Sequence, residues 1–200
     1  MAILSLAWKS LLNRRYTALL TLLAIALSCT LLLGVERIRH ETKLAFTQSI
    51  SGTDLVVGAR SGAVNLLLYS VFHIGNPTNN LSWKSYREIA QHKKVAWAVP
   101  ISLGDSHRGY RVVGTNTDFF KHYRYGKKRP LSFAEGKAFK GTFDVVIGAE
   151  IQRSLNYRLG QKIIVSHGAG NVSFSKHENM PFKVTGILKP TGTPVDRSLY

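Results

Sequence analysis

The first 35 residues contain no acidic side chain, and the whole chain contains a single cysteine, Cys29. One cysteine excludes an internal disulfide framework, and six prolines scattered over 200 residues exclude a proline-rich linker or stalk. No glycine-rich phosphate loop is present: Gly136 and Lys137 are followed by Ala138, and no glycine stands five positions earlier. ATP is therefore expected to be hydrolysed by another chain. The seven histidines, at 40, 73, 92, 107, 122, 167 and 177, are dispersed without zinc spacing, so no metal and no cofactor site is expected. Ser70 and His73 stand near one another, but a triad needs a third group and an oxyanion hole, and no catalytic residue is expected.

What is present begins with an uncharged run. Tyr16 to Val35 reads YTALLTLLAIALSCTLLLGV, with no Asn, Gln or Pro. As a helix, twenty such residues match a hydrocarbon core of about 30 Å. A soluble helix is rarely apolar on every face for five turns. A cleaved signal peptide would end in a small-x-small exit, whereas Leu31 to Leu33 run up to Gly34, Val35 and Glu36. Six uncharged residues follow Cys29, which also disfavours a lipoprotein signal. The run predicts a transmembrane helix over 16–35. Lys9, Arg14 and Arg15 precede it with no acid nearby, and these topology-setting residues predict a cytoplasmic N-terminus with residues 36–200 outside.

Before the span, Ile3, Leu4, Ala7, Trp8, Leu11 and Leu12 recur at helical spacing opposite Ser5, Lys9 and Asn13. This predicts an amphipathic segment over 1–15 at the cytoplasmic interface. After it, ERIRHETKLAFTQS has no helix breaker and predicts a helical stalk over 36–50, ended by Ser51 and Gly52. Residues 51–200 then mix strands and helices as an α+β extracytoplasmic domain. Strands are expected at Asp54–Val57, Asp144–Ile147, Lys162–Ser166 and Phe182–Leu188, with a hairpin turning at Gly104 and Asp105 between Val95–Leu103 and Arg108–Thr115. Helices are expected at Ala63–Phe72, from Ser82 to about His92, and at Ala149–Tyr157, with helical or irregular chain from Asp118 to Phe139 and a turn-rich loop at Gly75–Asn80.

Two stretches are candidate contact sites. Ser61 to Trp83 contains no charge, and its centre includes Leu66, Leu67, Leu68, Val71 and Phe72. A ten-residue apolar helix cannot cross a bilayer. It could be buried in the core, which all-round hydrophobicity favours, rest on the membrane, or meet a hydrophobic or lipid-bearing substrate. The second stretch, FFKHYRYGKKR from Phe119, offers Lys121, Arg124, Lys127, Lys128 and Arg129 as an anion or headgroup patch. A solvated basic face with its aromatics packed inward is the plainer alternative. Residues 36–200 carry 24 basic against 11 acidic side chains, so the domain attracts anions. Its predicted location outside the membrane argues for lipid or acidic partners and no nucleic acid.

In order, AWKSLLNRRYTALLTLLAIALSCTLLLGV, the stalk, and a domain closing with FKVTGILKPTGTPVDRSLY resemble the N-terminal half of an ABC transporter permease of the MacB, LolC/LolE and FtsX type. The resemblance implies a bacterial inner-membrane location, three further transmembrane helices beyond Tyr200, a permease dimer, and a separate cytoplasmic ABC ATPase subunit. Its implied function is to move or extract a lipoprotein, peptide or other amphiphile through stalk-transmitted conformational change. Two alternatives stand beside it: an FtsX-like scaffold relaying ATPase motion to an extracytoplasmic enzyme, and a single-pass anchored binding protein.

Overall fold

The computed structural model describes residues 2–49, 51–75, 79–167 and 180–200. Expectations for His177 and for the tip of the Gly75–Asn80 loop lie outside the described residues. Two compact units divide the chain, Met1–Ala45 and Phe46–Tyr200.

The first unit is helical. Helix α1 covers Ala2–Asn13, and α2 runs from Arg15 to Ser49, its last residues belonging to the second unit. Arg15–Leu44 is long and apolar enough to cross a membrane, and none of its most apolar window is buried in protein. Two hydroxyls inside this stretch are satisfied internally. The Thr21 and Thr30 hydroxyls donate to the carbonyls of Thr17 and Ala26, at 2.9 and 2.8 Å, which removes the cost of an unpaired hydroxyl in hydrocarbon.

The second unit is α+β, and its described residues place eight strands in one mixed sheet. Strands β1 (Ser102–His107) and β2 (Tyr110–Gly114) form the hairpin, but it turns at Arg108 and Gly109 rather than at Gly104 and Asp105. Both turn residues have positive φ, 47° and 83°, as a type I′ turn requires. The ladder shifts between Leu103 and Asp105, so Gly104 marks a bulge, and Val95–Pro100 stays outside the sheet. The expected strand at Asp54–Val57 is absent; Leu55 is 80% exposed and no ladder partner reaches it.

Between Asp118 and Phe139, where helix or irregular chain is expected, the chain makes helix α5 (Asp118–His122) and then three strands. These are β3 (Arg124–Tyr125), β4 (Arg129–Pro130) and β5 (Phe133–Gly136). Among the described residues, strands β3 and β4 pair only with each other. Strand β6 (Asp144–Ile147) and helix α6 (Ala149–Leu155) follow. The predicted strand at Lys162–Ser166 divides into β7 (Lys162–Ile163) and β8 (Ser166–His167), because the first pairs with β9 (Phe182–Leu188) and the second with β1. A 3-10 turn at Pro194–Arg197 leads into β10 (Ser198–Leu199), giving the order β5-β9-β6-β10-β2-β1-β8.

Successive side chains of a strand point to opposite faces, and the core divides accordingly. Val146, Leu188 and Tyr200 join Val113, Phe119 and Phe120 on one face. Val145, Ile147, Val184, Ile187 and Leu199 join Ile151 and Tyr157 on the other. Each face is thus covered by one short helix, α5 through Phe119 and Phe120, α6 through Ile151.

Candidate functional site

The uncharged element is built first. Helix α3 spans Ala63–Ser70, and helix α4 (Trp83–Ala90) follows, capped by Ser82, whose hydroxyl accepts from the Ser85 N–H at 3.1 Å. Helix α3 is not the core helix that its hydrophobicity suggests: none of its residues is buried. Leu66, Leu67, Leu68 and Phe72 are half-buried, Val64 is 69% exposed, and only Val71 and His73 are buried. Leu66 lies on the backbone of Gly58, where a Cβ would collide with it, and Tyr69 lies across Gly75. Leu55 and Val57 before α3 and Ile74 and Trp83 after it are also more than half exposed.

The residues after α3 fasten it to the sheet. His73 adopts a left-handed φ of 55° and its Nδ1 lies 2.7 Å from the Ser198 hydroxyl of β10. Its ring meets Tyr200 edge-on at 6.4 Å, while Arg111 of β2 donates to the Gly75 carbonyl at 2.7 Å. Burial, reinforced by the Arg111 charge, lowers the His73 pKa to about 4. The element is therefore pinned at Val71–Gly75 and open along α3. Val64→Lys is expected to change stability by less than about 0.5 kcal/mol, and Val71→Ala to cost about 1–2 kcal/mol. Urea melts of the two variants check this; equal losses would mean that α3 is core after all.

The basic stretch divides as the plainer alternative has it. Phe119 and Phe120 are buried, and Tyr123 and Tyr125 pack against the same core cluster. Lys121, Lys127, Lys128 and Arg129 are exposed. Arg124 is half-buried and its guanidinium donates to the carbonyls of Lys121 and Tyr123, at 2.7 and 2.9 Å, closing the end of α5. Positive φ at Gly126 (56°) and Lys128 (57°) turns β3 into β4.

This hairpin grips the end of α2. The last carbonyls of a helix lack intrahelical donors, and the Tyr123 hydroxyl donates to that of Ser49 at 2.5 Å. The Ser51 N–H donates to the Arg124 carbonyl, and the Lys128 N–H to the Ser51 hydroxyl, both at 3.1 Å. Ser49 is 2% exposed. Sequence reasoning missed this clamp, because a tyrosine in a run of Lys and Arg carries no sign of a partner more than seventy residues away.

His107 shows why a buried histidine here need not be chemical. The Ile164 carbonyl, 2.6 Å from Nδ1, can only accept, so Nδ1 carries the proton and Nε2 accepts from the Tyr157 hydroxyl at 2.7 Å. Burial lowers the His107 pKa, which suits this neutral ring. Among the described residues, no group of three or more His, Cys, Asp or Glu is placed to hold a metal ion.

With this geometry in hand, comparison with known proteins gives one family. The sequence profile described as the MacB-like periplasmic core domain matches residues 18–200. No curated protein matches the chain. Among solved structures, the extracellular domain of the noncanonic ABC-type transporter YknZ from Gram-positive bacteria aligns at 16% identity with a TM-score of 0.38. That alignment covers 60% of this chain and 61% of that one, so this chain spans less than two thirds of its length.

Proposed function

The chain belongs to the MacB-like periplasmic core domain family, and from that membership we propose that it is the membrane subunit of an ATP-driven ABC transport complex. It sits in a bacterial inner membrane with its N-terminus in the cytoplasm and residues 36–200 outside. A separate cytoplasmic ABC ATPase supplies the energy, and two permease copies work together. The cargo is a lipoprotein, a peptide or another amphiphile. The observation that carries this reading is the unbroken helix from Arg15 to Ser49, apolar over the length of a bilayer and fastened at its end to an α+β domain. The apolar line of exposed Val64 with half-buried Leu66, Leu67, Leu68 and Phe72 is the proposed contact for cargo or membrane. The exposed Lys121, Lys127, Lys128 and Arg129 remain candidates for an anionic partner.

The test has two arms. In a Cys29→Ser background, a cysteine placed at exposed Lys93 is expected to react with a membrane-impermeant maleimide in intact cells. Reaction only after permeabilisation would reverse the orientation. In the second arm the purified chain is expected to hydrolyse no ATP until its ATPase partner is added. Robust turnover by the permease alone would reject the assignment.

A further inference from the structure

The clamp on α2 does more than end a helix. The Tyr123 ring sits in the core cluster of one sheet face, tilted against Phe119 at 4.9 Å, and Phe119 stacks on Tyr200 at 4.7 Å. Its hydroxyl, which donates to the Ser49 carbonyl, also lies beside Thr193. Thr193 belongs to a closed loop. Its Oγ1 is 2.8 Å from that of Thr191, and the Asp196 carboxylate accepts from the Thr191 N–H, the Thr191 hydroxyl and the Gly192 N–H at 2.8–3.0 Å. Asp196 is itself buried, two residues before β10 at the centre of the sheet. A contiguous set of hydrogen bonds and ring contacts thus joins the end of α2 to the middle strand.

We propose that Tyr123 is the positioning residue that passes displacement of the α2 end to the 191–196 loop and β10, through its hydroxyl and its ring. Two physical points support this assignment. A 2.5 Å bond to a helix-end carbonyl cannot be replaced by water at a buried site without cost, so the hydroxyl follows Ser49. The ring is held on the core side by aromatic neighbours, so it cannot follow without moving them. The hairpin's other two bonds to Ser51 run through the backbone of Arg124 and Lys128, and survive substitution of Tyr123.

This inference rests on the permease reading, and the test separates the two. The full chain with its ATPase partner is compared by amide hydrogen exchange with and without ATP, as native protein and as Tyr123→Phe. Ser51 reports the clamp; Thr191, Gly192 and Tyr200 report the loop and β10. In the native complex, ATP is expected to change exchange at both places. Tyr123→Phe is expected to keep the ATPase rate and the change at Ser51 while losing the change at Thr191, Gly192 and Tyr200. An undiminished change there in Tyr123→Phe overturns the proposal. A native complex that responds at Ser51 but not at 191–200 also overturns it and leaves the permease reading intact. No response at Ser51 during active hydrolysis rejects both. Should Tyr123→Phe fail to fold, Thr193→Val removes the hydroxyl branch alone: it is expected to lose the change at Thr191 and Gly192 while keeping that at Tyr200, and an undiminished change at Thr191 and Gly192 overturns the proposal.

Discussion

Deletion of Ser198–Tyr200 is expected to abolish the cooperative unfolding transition of the α+β domain, although only three residues are removed. Strand β10 lies between β6 and β2, antiparallel to the first and parallel to the second. Ser198, Leu199 and Tyr200 are 1%, 0% and 5% exposed. Leu199 fills one face of the sheet and Tyr200 the other, and burying each is worth about 1.5–3 kcal/mol. Tyr200 exchanges two bonds with Val146 at 2.8 Å, and the Gly148 N–H donates to the Ser198 carbonyl at 3.0 Å. Removing the strand would leave those groups of β6 buried or newly wetted, at about 1–3 kcal/mol each. The total, on the order of 10 kcal/mol, is comparable with the whole stability of a domain. Near-ultraviolet circular dichroism of the chain with and without Ser198–Tyr200 during thermal melting is the measurement. A shortened chain melting within a few degrees of the full one would show that β10 is dispensable.

Acid is expected to weaken the same domain before most carboxylates titrate. His73 has a pKa of about 4 in the folded protein against about 6.5 when unfolded. Between those values the unfolded chain binds the extra proton, so stability falls as pH falls. The contribution is complete above pH 6.5 and is lost progressively down to about pH 4, on the order of 3 kcal/mol in all. His107 is displaced in the same direction, also chiefly by burial, and adds to the slope. His73→Asn tolerates the left-handed backbone and keeps a side-chain amide to meet Ser198. Denaturant melts at pH 7, 5.5 and 4.5 should therefore show a shallower decline for His73→Asn than for the native chain. An unchanged slope would mean that His73 takes up its proton without disturbing the Ser198 contact.

Where the sequence could be read, a single physical cause dominated. Asp144–Ile147 lies where predicted because its continuous Val and Ile run suits a strand covered on both faces, and Phe182–Leu188 because Phe182, Val184, Thr185 and Ile187 are aromatic or β-branched. The long helix was legible because Tyr16–Val35 admits no other economical reading. The hairpin was found, but its turn was misplaced: Gly104–Asp105 has turn chemistry, while the left-handed pair Arg108–Gly109 supplies the twist that joins the strands. Strands β3, β4 and β5 escaped notice because two to four residues give no period, and their aromatics answer to the core rather than to a ladder. Helix α3 misled through composition. Apolar residues on every side usually mean burial, yet α3 is attached through Val71 and His73 at its end instead of along its length. The candidate residues of the uncharged element were visible as a group; the residues that fasten it, His73 and Ser198, are 125 positions apart and could not be paired from the sequence.

The place of β10 also bears on the order in which the domain can come into being. A chain is made from its N-terminus, so β2 and β6 emerge well before the strand that must lie between them. Until Ser198–Tyr200 arrive, the β1–β2 hairpin and the β5-β9-β6 group are two half-sheets, each with an open edge facing the gap. Joining them closes a loop of more than eighty residues between Arg111 and Ser198, a contact of high sequence separation that is slow to form. The newborn domain therefore waits with its central seam unsewn, exposed to whatever strand reaches the gap first.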